Sequence, residues 1–296
     1  MDIALLLGQF CQYSLSIKGY SPNTIKRYTY TIKCFCKFAD ITELGQVTDE
    51  KVRGVFYMGR TERKWSVNTF LVYHKSLLVF FRWCVKQGHI EKNPILEIEK
   101  PKLEKRIPFK LTKQDSLKLL ELVYNYPYDY SFLRYRNHAI FATFIFAGLR
   151  KQELLNLKYT DINLEGLTIF VRQGKGNKDR IIPMSFTLAQ SLKRYCAERK
   201  RLNKTHPEFF SSLRGNEGIT DQCLRRLVEQ VRPALGVKFS IHKLRHTFAT
   251  LMLEGGCDIY SLSKMMGHSD INTTTIYLSA SAEHLRSQMS KHPLNT

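Results

Sequence analysis

The chain has 296 residues, 43% of them hydrophobic, enough apolar surface for real cores and too much for a disordered polymer. Lysine and arginine number 46 against 26 aspartates and glutamates, a net charge of +20. A compact chain so charged repels itself without a counter-charge, which argues against a chain lacking a polyanionic partner and points to DNA, RNA or an anionic membrane surface.

The first hundred residues read as a small helical bundle. Ser21-Pro22-Asn23-Thr24 is a helix start, with serine as the cap and proline in the first turn. Ile25, Tyr28, Ile32, Phe35 and Phe38 follow at three- and four-residue steps, while Lys26, Arg27, Lys33 and Lys37 fall on other faces. A second strong helix is predicted from about Ser66 to Gln87, with Phe70, Tyr73, Leu77, Phe80, Phe81 and Val85 inward and Gly88 ending it. Two weaker helices are expected near residues 2–17 and 48–59. Asn93-Pro94 breaks the pattern, and residues 99–108 are charged with two prolines, as in an interdomain linker. The expected division is a DNA-binding helical domain over 1–100, a linker over 101–110 and a second domain over 111–296.

The second domain opens with Leu111-Thr112, a cap before a helix through about Val123, and Arg136 to Phe146 reads as a buried helix. Gly148 then allows a close turn that presents Arg150. Leu167–Val171 and Arg180–Pro183 carry strand signals, and the run Gln173 to Asp179 between them, with two glycines, is a hairpin turn. Helices fill most of the remainder. The fold class is therefore mainly α with a small antiparallel β-sheet (α+β). The basic excess runs through both halves: 16 basic and 9 acidic side chains in residues 1–103, 30 and 17 in the rest. Both domains are expected to touch the polyanion, as in a clamp.

Seven cysteines are scattered without a Cys-x-x-Cys pair, so neither a disulfide framework nor a zinc knuckle is indicated. They suit a reducing compartment. No apolar run reaches the roughly 18 residues of a membrane span. The start, with Asp2 before Ile3 to Leu7, lacks the basic region of a signal peptide. The expected location is cytoplasmic and nucleoid-associated, with no membrane partner.

Cleaving a phosphodiester with a protein nucleophile requires that nucleophile, cationic donors for the non-bridging oxygens, an acid for the leaving oxygen and a base. Arg150 and Arg245 are the candidate donors, because a guanidinium matches phosphate and keeps its proton. Alone, Arg150 reads equally as a surface residue at a helix start, with Glu153 as an orienting partner or an ordinary ion pair. Lys175 sits between two glycines, as a polar turn tip or as a cationic finger that protonates a leaving oxygen. His242 and His246 are four apart and share a helix face. That spacing suits zinc, but Lys243 stands where a zinc-protease helix has glutamate, and Arg245 repels a dication. No metal and no cofactor is therefore expected. His268, after Gly267, is either a turn histidine or a hydrogen-bond partner for phosphate. Tyr277 is the candidate nucleophile. Its phenol ordinarily titrates near 10, and two arginines with a partly charged histidine are expected to favour the phenolate. Attack gives a 3′-phosphotyrosine ester and a 5′-hydroxyl, and the ester keeps the bond's energy, so resealing needs neither ATP nor a metal.

These residues resemble the tyrosine recombinase family, the phage integrases. Ala147 to Leu154 is similar to that family's first arginine box, Gly174 to Lys178 to its hairpin lysine turn, His242 to Thr250 to its His-x-x-Arg box, and Gly267-His268 with Tyr277 to its last histidine and nucleophile. Ser21 to Thr24 and the 66–94 region resemble its N-terminal core-binding domain. The resemblance thus covers nearly the whole chain, and starts directly at the core-binding domain as in Xer-like and simple transposon or phage integrases. It implies that Arg150 and Arg245 hold the scissile phosphate and Lys175 is the general acid. His242 assists proton transfer, His268 bonds the phosphate and Tyr277 attacks. It also implies a double-stranded DNA recombination site as substrate, and a homo-tetramer, or a hetero-tetramer with a second recombinase, on that DNA. A C-terminal tail of about 279–296 is expected to dock on a neighbouring protomer, with Leu278, Leu285 and Met289 on one side. Lys26, Arg27, Lys64, Lys178, Arg180 and Lys243 are expected as further DNA contacts. Lys151 departs from the family, which usually has an apolar or small residue there. The leading reading is a site-specific recombinase acting through a Holliday junction. Alternatives are a topoisomerase-like or telomere-resolving strand transferase, and a non-enzymatic DNA-binding module.

Overall fold

The structure, a computed structural model, describes residues 1–102, 110–172, 179–268 and 270–278. The chain divides into two compact units, Met1–Lys105 and Arg106–Thr296. The first unit holds helices α1 (Ile3–Ser16), α2 (Pro22–Ala39), α3 (Asp49–Thr61) and α4 (Val67–Lys86). Each starts where a short polar side chain accepts a first-turn N–H: Asp2, Ser21, Thr48 and Ser66 in turn. The periodic stripe on α2 buries Tyr28, Ile32 and Phe35, while Lys26 and Arg27 stay exposed. α4 buries Phe70, Tyr73, Leu77, Phe80 and Phe81 and closes a core rich in aromatic rings, among them the stacked Trp65 and Tyr73, 4.0 Å between centroids. Gly88, with φ of +74°, follows the helix end in the left-handed conformation that glycine tolerates.

The second unit runs α5 (Lys113–Asn125), α6 (Ser131–Ala147), α7 (Lys151–Leu155), β1 (Ile162–Asn163), β2 (Thr168–Val171), β3 (Arg180–Pro183), α8 (Phe186–Arg201), α9 (Asp221–Leu235), α10 (Ile241–Glu254), α11 (Ile259–Met266) and α12 (Asn272–Thr275). Thr112 and Asp115 cap α5 reciprocally. α6 is the central helix, packed by α5, α8 and α10, which explains why its second half, residues 139–147, is almost wholly apolar. It begins five residues earlier than the sequence suggests, at Ser131, because Phe132 anchors that first turn in the core. The sheet is antiparallel in the order β1-β2-β3, with Ile169 opposite Ile182 and Val171 opposite Arg180. β1 escapes sequence reading because two residues carry no alternation. The mainly helical fold with a small antiparallel sheet is thus the one expected. Most of the 101–110 linker, the hairpin turn with Lys175 and Lys178, and the tail from 279 lie outside the described residues. Among the described residues, no helix is long and apolar enough to cross a membrane.

Candidate active site

The site assembles where α6, α7, α10 and α11 end or begin. Gly148 caps α6 at φ +59°, and a Cβ there would lie 2.2 Å from the Phe248 ring of α10. The turn therefore closes onto α10 only with glycine, and it delivers Arg150 to the N-terminus of α7. α10 buries Leu244, Thr247, Phe248 and Ala249, which fixes its rotation and leaves His242 and His246 on the site side.

Glu153 is the hub. Its carboxylate, 5% exposed, accepts from Arg150 at 2.7 Å and from both terminal nitrogens of Arg180 at 2.8 and 2.9 Å, and lies 3.9 Å from Arg245. Burial alone would raise this carboxyl, but Arg180 and Arg150 outweigh it and hold it near 2. The same three arginines cap the end of α11 on successive carbonyls. Arg180 donates to Met265 O at 2.7 Å, Arg245 to Met266 O, and Arg150 to Gly267 O at 2.9 Å. The last carbonyls of a helix have no partner within it and carry partial negative charge, so cations suit them. Gly267 makes this cap possible: its φ is +62°, and a Cβ would meet Arg180 Nη1 at 2.9 Å. One glutamate thus faces three guanidinium groups, a net +2 in a confined space, which is the balance an anion would complete.

Arg245 is nearly fully buried and also donates to Gly148 O. Burial first, then Arg150, lowers it to about 10, so it remains a cation at neutral pH. Each of its terminal nitrogens carries two hydrogens and uses one on a carbonyl. His268 Nε2 lies 3.3 Å from Arg245, and its Nδ1 is 2.7 Å from Thr274 Oγ1. Arg150, His242 and Arg245 together line a cleft of about 380 Å³ that Lys151, Arg225 and Arg232 border. Partial burial, then Arg245 and Arg150, lower His242 below the ordinary histidine range.

Tyr277 follows α12 and is 3% exposed, its ring packed with Phe248, Leu253, Leu262 and Met266. Its phenol is 2.8 Å from His246 Nδ1. Burial raises the phenol above its ordinary value, against the pull of Arg245 and Arg150. This corrects the expectation of a favoured phenolate: desolvation outweighs the two arginines. Nor is the neighbouring histidine partly charged. Burial, then His242 and Arg245, push His246 down to about 4.

Five of the six expected catalytic residues therefore lie in one neighbourhood, and the sixth, Lys175, falls outside the described residues, as does Lys178. Lys26, Arg27 and Lys64 are exposed, and Lys243 is half-buried. Arg180 differs from its reading as a DNA contact: its side chain is 9% exposed and spends its donors on Glu153 and α11. Two residues had no assigned role from sequence, His246 and Arg180 as a brace. Spacing from His242 puts His246 on the right face, but nothing local says that Tyr277 returns to it. Among the described residues, no three His, Cys, Asp or Glu side chains gather to hold a metal ion.

Residues 110–284 match the phage integrase family, and residues 6–90 match the phage integrase N-terminal SAM-like domain. The chain belongs to the phage integrase family. It is a tyrosine recombinase of the Xer-like or integrase type, an enzyme that transfers DNA strands. It is similar to the tyrosine recombinase XerA of Pyrococcus horikoshii, 31% identical over 98% of this chain and 94% of that protein. It also resembles XerC of Thermodesulfovibrio yellowstonii, 33% identical over 94% of this recombinase and 93% of that one. In fold it resembles the XerH site-specific recombinase bound to palindromic difH substrate in a post-cleavage complex, with a TM-score of 0.74 and 24% identity over 96% of this chain and 83% of that one.

Proposed function

We propose that Tyr277 attacks one DNA strand to form a 3′-phosphotyrosine ester with release of a 5′-hydroxyl, and that paired cycles of this reaction exchange strands through a Holliday junction. The observation that carries the reading is a buried phenol, hydrogen-bonded to His246, within the electrostatic reach of Arg150 and Arg245, the two arginines that line the cleft. The two guanidinium groups bind the non-bridging oxygens and stabilise the charge that grows on them in the transition state. His268, beside Arg245 and bonded to Thr274, hydrogen-bonds the phosphate once the strand is bound. His242 lines the cleft and assists proton transfer, and Lys175 is the acid for the leaving 5′-oxygen.

The ester conserves the energy of the phosphodiester, so neither ATP nor a metal enters the cycle. The helical unit over 1–100 is the core-binding part, with Lys26, Arg27 and Lys64 reaching phosphates, and residues 111–296 are catalytic. Lys243 and Lys178 reach phosphates from this second part. The working assembly is four protomers on two DNA sites, each tail from about 279 docking on a neighbour. The enzyme works in the cytoplasm on nucleoid DNA.

A duplex nicked next to the cleavage position, so that the short 5′-ended fragment diffuses away, tests this. The parent accumulates a covalent adduct, and Tyr277→Phe forms none while binding DNA within a few fold. Two differently labelled duplexes then yield joined recombinants with the parent. Relaxation of supercoiled DNA without joined products would instead indicate a nick-and-reseal enzyme, and an adduct surviving Tyr277→Phe would remove the nucleophile.

A further inference from the structure

Deprotonation of Tyr277 needs a base, and the phenol's hydrogen-bond partner among the described residues is His246. The Nδ1 to Oη distance is 2.8 Å and the ring centroids are 5.5 Å apart. His242 stands one helical turn away, its ring meeting His246 edge-on at 4.8 Å. We propose that His246 is the general base that takes the phenolic proton of Tyr277, and that a DNA phosphate seated among the arginines makes it competent. The proposal rests on Tyr277 being the nucleophile.

The proposal requires the phenol to donate to Nδ1. A neutral His246 whose Nδ1 accepts from the phenol carries its proton on Nε2. In the forward step the Oη–H bond breaks and its proton passes to Nδ1. The freed electron pair forms the Oη–P bond. The P–O5′ bond breaks with its pair, and the 5′-oxygen takes a proton from the acid assigned to Lys175. In religation the 5′-hydroxyl returns its proton to the group assigned to Lys175 as its oxygen forms the O5′–P bond, the Oη–P bond breaks with its pair, and Oη recovers its proton from Nδ1, so acid and base both end as they began. The groups that face His246 are His242 and Arg245 from its own helix, Tyr277 after α12, and Arg150 from the α6–α7 turn through its field on the phenol. Burial first, then His242 and Arg245, disfavour a second proton on His246. A phosphate between Arg150 and Arg245 cancels part of that field. The base is thereby weak in the free enzyme and stronger on the bound substrate, which restrains reaction at Tyr277 away from DNA.

The test uses the full chain and two nicked duplexes, one with the natural bridging oxygen and one with sulfur at the 5′-bridging position, whose thiolate leaves without a proton. His246→Ala and His246→Asn are each expected to lose about 100-fold or more in adduct formation on both duplexes, with DNA binding retained. Lys175→Ala is expected to recover on the sulfur duplex. Asparagine offers an acceptor but takes no proton, so an Asn variant within a few fold of the parent would overturn the assignment and leave His246 as a positioning residue. Recovery of the His246 variants on sulfur would also overturn it, by making His246 an acid. If the parent and its Tyr277→Phe variant both form the adduct, the nucleophile reading falls and this one with it. If the parent reacts, Tyr277→Phe does not and the His246 variants match the parent, this inference alone falls.

Discussion

At Glu153 the balance of charge is set by a single carboxylate. It holds Arg150 and Arg180 and lies near Arg245, all three of which also cap α11, so its loss releases both the proposed phosphate donors and the helix that leads to Tyr277. Removing one partner from a buried ion pair costs about 3–5 kcal/mol, because the remaining charges stay desolvated. Glu153→Gln is therefore expected to lower the unfolding free energy by about that amount in urea titrations, with part of the loss recovered when DNA supplies negative charge. The pH dependence follows from the same residues. Glu153 sits near 2 in the folded chain, below its ordinary 4.5, so its stabilising effect is present above 4.5 and lost as pH falls toward 2. His246 sits near 4, below its ordinary 6.5, so a proton binds the unfolded chain more readily between those values. Its contribution is present above 6.5 and lost as pH falls toward 4. Unfolding free energies measured from pH 7 to 4 should fall in the parent and fall less in His246→Asn. The proposed catalytic set was drawn from spacing because each box is local in sequence. The His246–Tyr277 pairing was not, since 31 residues separate the partners and the path of α11 and α12 brings them together.

At the level of elements, the helices declared themselves through caps and periodicity. Ser21, Ser66 and Thr112 each start a helix in the place their residue types demand, and the α2 and α4 stripes bury most of the residues the 3.6-residue period selects, with Ile25, Phe38 and Val85 partly buried. What local pattern does not carry is how one helix end meets another. Gly148 reads as a turn glycine, yet its necessity comes from the Phe248 ring 100 residues away. Gly148→Ala should cost at least about 2 kcal/mol, from a left-handed φ and an overpacked contact together. The double variant Gly148→Ala with Phe248→Leu should recover part of it in thermal melts, whereas simple additivity of the two losses would show that the close approach is unimportant. Arg180 is a similar case. At the start of a β-strand in a basic chain it looks like a DNA contact. Only the meeting of β3 with α11 turns it inward onto Glu153.

Across the whole molecule the charge of +20 is spread over both compact units, so each is expected to contribute phosphate contacts. Binding should weaken steeply with salt, log K falling by about 0.9 for each phosphate neutralised per unit of log salt, and Lys26→Ala with Lys64→Ala should make that slope shallower. A slope that ignores both changes would confine DNA binding to the catalytic unit. The presence of two units was legible from the charged, proline-bearing stretch around residue 100, and the reaction from six residues whose chemistry is uncommon in combination. The DNA sequence that is recognised was not legible, because readout depends on which side chains reach base edges and on duplex shape. The account stands on one covalent bond. Digesting the adduct trapped on nicked DNA and sequencing the DNA-linked peptide by mass spectrometry identifies the residue that carries the 3′-phosphate. The account predicts Tyr277 on the peptide that follows His268; linkage to any other residue, or no linked peptide at all, would contradict it.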